Sequence, residues 1–159
     1  MLQENRLQRE FYNACESGDI KAAELLLARG ADVNQANDYG GTPLWTACLY
    51  GHIEVAKLLL DRGADINQAT QGGYRPLWAA CANGHGKVAE LLLDRGADIN
   101  QATQGGYGPL SAACENGHGE VAELLLDRGA DVNQASIYGE TPLSISCARG
   151  HLAISELLI

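Results

Sequence analysis

Cysteine and histidine recur together along the chain, four residues apart, and are the residue types best suited to chemistry. The pairs are Cys48/His52, Cys81/His85, Cys114/His118 and Cys147/His151. On one helix this spacing would place a thiol and an imidazole on the same face, where they could bind a metal ion. A glycine lies inside each pair, however, and glycine readily ends a helix. We therefore predict no metal site and no cofactor.

Other reactive arrangements are equally weak. Five cysteines leave one unpaired, and equivalent residues of packed helix pairs lie about 8–10 Å apart, too far for a disulfide. The aspartates of four Gly-Ala-Asp turns are Asp32, Asp65, Asp98 and Asp131. They belong to separate turns, whereas acid–base catalysis needs convergent groups. We predict hydrogen bonds within each turn and no catalytic residues.

All of these residues obey one period. Pro43, Pro76, Pro109 and Pro142 follow one another at intervals of 33 residues, and every histidine and cysteine keeps the same interval. Such self-similarity is typical of a repeat protein in which each copy is one supersecondary unit.

Residues 40–67 show the content of one unit. The segment Gly-Gly-Thr-Pro is typical of a turn that precedes a helix. A first short helix is predicted after it, because proline suits the first turn of a helix. Gly51 ends that helix, a more apolar second helix follows, and Gly63 ends the second. The leucine triplets at 25–27, 58–60, 91–93 and 124–126 need neighbours to be buried, which predicts stacked helix pairs.

The blocks Gly41-Thr42-Pro43-Leu44, Gly51-His52, Leu58-Leu59-Leu60 and Gly63-Ala64-Asp65-Ile66-Asn67 resemble the ankyrin repeat. The resemblance implies an all-α solenoid of five stacked helix-turn-helix units with projecting β-turn or hairpin loops. The expected single domain is 1–159. Its repeats are 3–36, which is cap-like, then 37–69, 70–102, 103–135 and a truncated 136–159.

Several expectations come with the resemblance. The threonine before proline, kept as Thr42 and Thr141, ties down a helix start, so the starts after Arg75 and Gly108 are expected to be looser. The histidine should hydrogen-bond within its turn, and the cysteine should be a buried packing group. Asparagine in Gly-Ala-Asp-[Val/Ile]-Asn is open to hydroxylation in this family, and the residues concerned are Asn34, Asn67, Asn100 and Asn133. Whether they are modified stays open.

The two ends of the chain differ. Gln3 to Arg9 is polar and compatible with a helix, as expected of a solvent-facing cap. The second helix of the fifth unit reaches Ile159 without such a cap. Either the chain belongs to a longer array, or a partner covers this apolar face. A monomer is expected, with end-to-end contact possible here.

Charge and hydropathy limit the partner. The net charge is −9, which argues against nucleic acid and anionic membranes. The start is polar, and no apolar run is long enough to span a bilayer. We expect a cytoplasmic or nuclear protein whose partner is another protein and not a small-molecule substrate.

The candidate binding surface consists of residues that break the period. In the family these positions, on the loop tips and the exposed face of the first helix, line a concave groove. Here they carry most of the tyrosines and both tryptophans, which are common in binding hot spots. The principal candidates are Tyr39, Trp45, Leu49, Tyr50, Tyr74, Arg75, Trp78, Tyr107, Ser111, Tyr138 and Glu140; a wider set adds Asp38, Gly41, Gln71, Asn83, Gln104, Glu115, Ile137 and Arg149.

We therefore predict a non-catalytic interaction module. Two alternatives remain for the aromatic surface. The tryptophans could instead pack between neighbouring repeats. The near-identity of residues 68–74 and 101–107 also fits an engineered scaffold without an evolved partner.

Overall fold

A computed structural model describes the backbone of residues 2–159 and the side chains of residues 5–159. The described chain forms ten α-helices in five consecutive pairs and is otherwise turns and irregular loops. The helices are α1 Leu2–Ser17, α2 Ile20–Ala28, α3 Pro43–Leu49, α4 Ile53–Asp61, α5 Pro76–Ala82, α6 Gly86–Asp94, α7 Pro109–Glu115, α8 Gly119–Asp127, α9 Pro142–Arg149 and α10 Leu152–Leu157. The predicted all-α stack of helix-turn-helix units is confirmed.

The first helix of repeats two to five begins at its proline. Thr42 and Thr141 accept hydrogen bonds from the main-chain N–H groups of Trp45 and Ser144, at 3.1 and 3.3 Å. Arg75 and Gly108 make no such side-chain bond in the described chain, yet α5 and α7 begin at the same place. The fixed φ of proline therefore sets the start of these helices, and the threonine cap is an addition.

One continuous apolar core runs through the stack. Within the leucine triplets of repeats two to four, Leu59, Leu92 and Leu125 are fully buried, and Leu58 is nearly so. The other members of these triplets are partly buried against the core. Cys15, Cys48, Cys81 and Cys114 lie in the same core, whereas Cys147 is exposed. The expectation of a buried cysteine is therefore wrong for Cys147, because the last repeat has a neighbour on one side only within the described chain.

The side chain of each histidine joins consecutive repeats, and its main-chain N–H closes its own turn. Nε2 of His52, His85, His118 and His151 donates to a carbonyl 36 residues earlier, at 2.7, 3.0, 3.1 and 3.2 Å. The expected bond within the turn is made by the main-chain N–H alone, to the carbonyl five residues earlier at 2.9–3.0 Å, while the imidazole reaches the preceding repeat. The first unit has Asp19 at this position, where no preceding repeat supplies a carbonyl among the described residues. Asp19 caps α2 by accepting from Ala22 N at 3.0 Å.

The first repeat contains a buried polar side chain in α1. Gln8 is 7% exposed, donates to Asp32 O and accepts from Asp32 N, both at 2.9 Å. The polar segment Gln3–Arg9 therefore includes a buried amide, and the exposure of Gln3 and Glu4 lies outside the described side chains. At the other end Leu152, Leu157 and Ile159 are exposed.

Candidate functional site

Four five-residue loops project from the stack, and we call them fingers: 37–41, 70–74, 103–107 and 136–140. In each finger the first N–H donates to the fifth carbonyl and the fourth N–H donates to the first carbonyl, at 2.8–3.0 Å. The first residue also accepts from the fifth N–H through its side chain; these residues are Asn37, Thr70, Thr103 and Ser136. The fingers are thus tight turns closed by hydrogen bonds, in agreement with the predicted projecting turns.

Main-chain hydrogen bonds also join one finger to the next. Gln71 N donates to Tyr39 O at 3.1 Å, Gln104 N to Gly72 O at 3.1 Å, and Ile137 N to Gly105 O at 3.0 Å. These bonds use no side-chain atoms. The fingers therefore form one wall whose side chains can differ without loss of the wall.

The Gly-Ala-Asp-[Val/Ile]-Asn turns form a second set of links. Each aspartate accepts from the N–H two residues later, at 2.8–3.1 Å, so the predicted hydrogen bond within the turn is confirmed. The asparagine reaches the next repeat: Oδ1 of Asn34, Asn67 and Asn100 accepts the N–H of Asp65, Asp98 and Asp131. These residues hold the turns in register.

Between the fingers and the first helices lies a groove, and its first part we call the apolar groove. It has a volume of about 520 Å³ and is lined mainly by Tyr39, Trp45, Tyr74 and Trp78 with main chain of the fingers. The rings of Tyr74 and Trp78 meet edge to face, with centroids 4.6 Å apart and planes at 63°. A Cβ on Gly72 would lie 2.6 Å from Tyr74 Cε2, so this glycine lets the phenol ring lie across the finger.

Both indole N–H groups lack an acceptor. Nε1 of Trp45 and of Trp78 is buried and has no hydrogen-bond partner within the described chain. Leaving a buried donor unpaired costs about 1–3 kcal/mol. Both tryptophans are half-buried. Each therefore buries part of its ring and presents another part to the groove, and the two interpretations of the sequence stay predictions.

The groove continues into a second cavity, which we call the acidic groove. Its volume is about 470 Å³, and Tyr74 and Trp78 line it from the shared side. Tyr107, Glu115, Glu140 and Arg149 are among its other lining residues. Tyr107 donates its hydroxyl to Glu140 Oε2, and Arg149 Nη2 donates to Glu115 Oε1 at 2.5 Å. The hydrogen bond to the Glu140 carboxylate raises the pKa of Tyr107.

The groove gathers six of the eleven principal candidates, namely Tyr39, Trp45, Tyr74, Trp78, Tyr107 and Glu140. Ser111 is 3% exposed, so it offers no contact surface. Its short side chain does not extend into the groove, whereas the indole of Trp78 at the equivalent position does. Arg75 donates to Gly73 O of its own finger and to Ala102 O, which directly precedes the next finger.

Three further candidates line neither part of the groove. The Leu49 carbonyl accepts from His85. Tyr50 is exposed at the end of α3, stacked near His52 with ring centroids 6.4 Å apart. Tyr138 is 76% exposed on its finger.

Part of the groove lining was not predicted from the sequence. Ala112, Ile145 and Ala148 line the acidic groove, and Asn37 and Thr70 line the apolar one. Small and β-branched residues carry no signal of binding by type. Ala148 is equivalent in the repeat to the candidates Leu49 and Glu115, and this equivalence could have identified it. The other four residues occupy positions of the repeat at which the sequence suggested no candidate.

The thiols and imidazoles do not converge on one point. No group of three or more metal-binding side chains occurs among residues 5–159. Burial raises the pKa of Cys15 and of Cys114 to about 12, and it raises the pKa of Cys48 and Cys81 as well. These thiols therefore stay protonated at neutral pH, whereas a nucleophilic cysteine needs a thiolate.

Comparisons with known families agree with this geometry. Residues 11–103 match a family described as ankyrin repeats (3 copies), and residues 92–146 match one described as ankyrin repeats (many copies). No curated protein matches the chain. From residue 2 onward, no helix has the length and apolar character that crossing a membrane requires. The chain belongs to the ankyrin-repeat family, whose repeats are generally protein-interaction modules and typically non-catalytic.

Proposed function

We propose that this chain binds a partner protein by holding an extended segment of it in the continuous groove formed by the apolar and acidic grooves. The observation that carries the proposal is the set of aromatic rings along the floor and wall of that groove. Tyr39, Trp45, Tyr74, Trp78 and Tyr107 all line it. Aromatic side chains that are partly exposed in a pocket contribute strongly to binding energy.

The unpaired indole donors support a segment with free main-chain carbonyls. Nε1 of Trp45 and of Trp78 has no acceptor in the described chain. Both atoms are closed off from solvent, so a carbonyl of the segment would reach them only after the indole rings turn toward the groove. An extended segment presents carbonyl oxygens at regular intervals, and one of these would then remove the desolvation penalty of the unpaired N–H. A helix uses its carbonyls internally, so an extended segment fits better.

The compartment we propose is the cytosol or the nucleus. Each of the five cysteines, all of which lie in the described chain, is a free thiol. Free thiols are the ordinary state of cysteine in reducing compartments. The partner would then be a protein of the same compartments, and the acidic charge of this chain favours a partner with a basic patch.

Paired substitutions test the groove. Tyr74→Ala with Trp78→Ala removes the edge-to-face pair that both parts of the groove share. We expect the affinity for the captured partner to fall by at least about a hundredfold, because each aromatic hot spot contributes about 2 kcal/mol or more. The measurement is pull-down with mass spectrometry, followed by titration of the captured protein.

The control changes two exposed residues on the second helices, Glu54→Ala with Lys87→Ala. Circular dichroism should stay helical for both double variants. If capture survives loss of Tyr74 and Trp78, the groove is not the binding surface. If the unaltered chain captures no partner reproducibly, the scaffold without an evolved partner is favoured instead.

A further inference from the structure

We propose that the acidic groove is a subsite for an arginine side chain of the bound partner segment. This inference rests on the proposed function, since it names what one part of the groove recognises. It follows from the kinds of side chain that meet there: three aromatic rings and two carboxylates around one cavity of about 470 Å³. Aromatic faces and carboxylates both attract cations.

The aromatic walls are Tyr74, Trp78 and Tyr107. Tyr74 and Trp78 fix one another by their edge-to-face contact, and Tyr107 is fixed by its hydroxyl bond to Glu140. A cation over such rings is attracted by their negative faces, and Trp is the strongest of the three residue types. A planar guanidinium also stacks on an aromatic ring, which an ammonium group does not do.

The two carboxylates differ in charge balance. Glu115 is paired with Arg149 at 2.5 Å, so its charge is already matched. Glu140 receives neutral hydroxyl donors through Oε2, from Tyr107 and from Ser136, and no ion pair involves it within the described chain. Glu140 is therefore the carboxylate that a cationic ligand would neutralise.

The neighbouring apolar groove determines what should accompany the arginine. The two cavities share Tyr74 and Trp78 but are centred on different repeats, the apolar one between repeats two and three and the acidic one on repeat four. Repeats packed about 8–10 Å apart put the centres about 12–15 Å from each other, which an extended chain covers in about four residues. The expected ligand is an extended segment with a large apolar residue about four positions from an arginine.

Peptide selection tests this inference. Random dodecapeptides displayed on phage are selected on the immobilised chain, and those that also bind the Tyr74→Ala/Trp78→Ala variant are discarded. The best remaining peptide is synthesised with arginine, lysine or citrulline at the selected basic position. Citrulline keeps the shape of arginine and removes its charge. Affinities are measured for the unaltered chain, Glu140→Gln and the control Glu120→Gln, which makes the same charge change on the exposed part of α8.

We expect an arginine in the selected consensus and a weakening of about three- to tenfold from either Glu140→Gln or citrulline, as cation–π and partly exposed ion-pair contacts provide. The two changes together should cost little more than either alone, because they remove the same contact. Lysine should bind between arginine and citrulline. Glu120→Gln should leave the affinity within about twofold.

Different results overturn different statements. Peptides that depend on Tyr74 and Trp78 but lack arginine, or that bind Glu140→Gln as well as Glu120→Gln, overturn the arginine subsite alone. Fully additive effects of Glu140→Gln and citrulline also overturn it, since they would show two separate contacts. If no selected peptide depends on Tyr74 and Trp78, the groove itself fails as a binding surface.

Discussion

The turn glycines show how one residue type serves two purposes here. Gly18, Gly51, Gly84 and Gly117 have φ near +75°, and the histidine of the next repeat lies over each of them. A Cβ on Gly84 would lie 2.6 Å from Nδ1 of His118. Glycine therefore permits both the left-handed turn and the close approach of the histidine that joins the repeats.

Replacing Gly84 by alanine should separate these two purposes. Gly150 is a matched control, because its φ of 76° is close to the 74° of Gly84 and no described atom lies within 4 Å of its added Cβ. Both changes force alanine into a left-handed conformation, at about 1–2 kcal/mol. Gly84→Ala should lower the free energy of unfolding in urea by about 1 kcal/mol more, owing to the displaced histidine. Equal losses would mean that the histidine moves without cost.

Sequence alone predicted which residues belong to the scaffold better than it predicted their contacts. The 33-residue period identified His52 and its equivalents as structural. The period could not show that the imidazole donates to a carbonyl of the preceding repeat. A period identifies equivalent positions, but it does not define how neighbouring repeats pack. Ser111 illustrates the same limit. It occupies the position of Trp78, but a shorter side chain there becomes buried.

At the level of the elements, the links between turns explain how helix pairs keep their register. Asn34 Oδ1 accepts from Asp65 N at 2.7 Å, and Asn34 Nδ2 donates to Gly63 O at 3.1 Å. An amide side chain can make both contacts because it carries a donor and an acceptor. The register of two repeats is thus fixed by polar groups as well as by core packing.

Asn34→Ala should therefore destabilise the chain more than Asn133→Ala. Asn133 is equivalent in sequence, but its side chain makes no bond to a later repeat in the described chain. Asn34→Ala removes two hydrogen bonds to main-chain groups and should lower the free energy of unfolding by about 1–2 kcal/mol. Asn133→Ala should leave the free energy of unfolding almost unchanged. Thermal and urea denaturation of both variants measure the difference. A larger loss for Asn133 would contradict the assigned role.

The helix starts were predictable because proline and threonine act locally. Helices α5 and α7 begin at their proline, as the other first helices do. The looser starts expected after Arg75 and Gly108 therefore stay a prediction about the dynamics of these helices. The groove was less predictable than the helices. Which rings line it depends on finger conformation, such as the path of Tyr74 across Gly72.

Across the whole molecule, stability should vary along the stack. Helices α5 to α8 have a neighbouring repeat on both sides, whereas α10 has six residues and exposes Leu152 and Leu157. In stacked repeats, each unit is stabilised mainly by its immediate neighbours. The stack was fully predictable because its period appears in the sequence, but this gradient depends on burial.

Hydrogen exchange measured by mass spectrometry should show that gradient. Amides of α10 should exchange first and those of α5 to α8 last, because local opening is easiest where fewest contacts are lost. Helix α1 should be intermediate, since Gln8 bonds to both main-chain groups of Asp32. Uniform exchange of all helices would instead mean that the stack opens only as one unit.

The finger wall has a consequence for how such a molecule can lengthen. Its bonds, Gln71 N to Tyr39 O, Gln104 N to Gly72 O and Ile137 N to Gly105 O, are the same bond made three times between different residue types. An additional copy of residues 70–102 placed after Ala102 would find a matching edge before it and behind it. Whole repeats would thus be the unit by which the array lengthens or shortens, and each insertion would extend the groove without redesign of any existing junction.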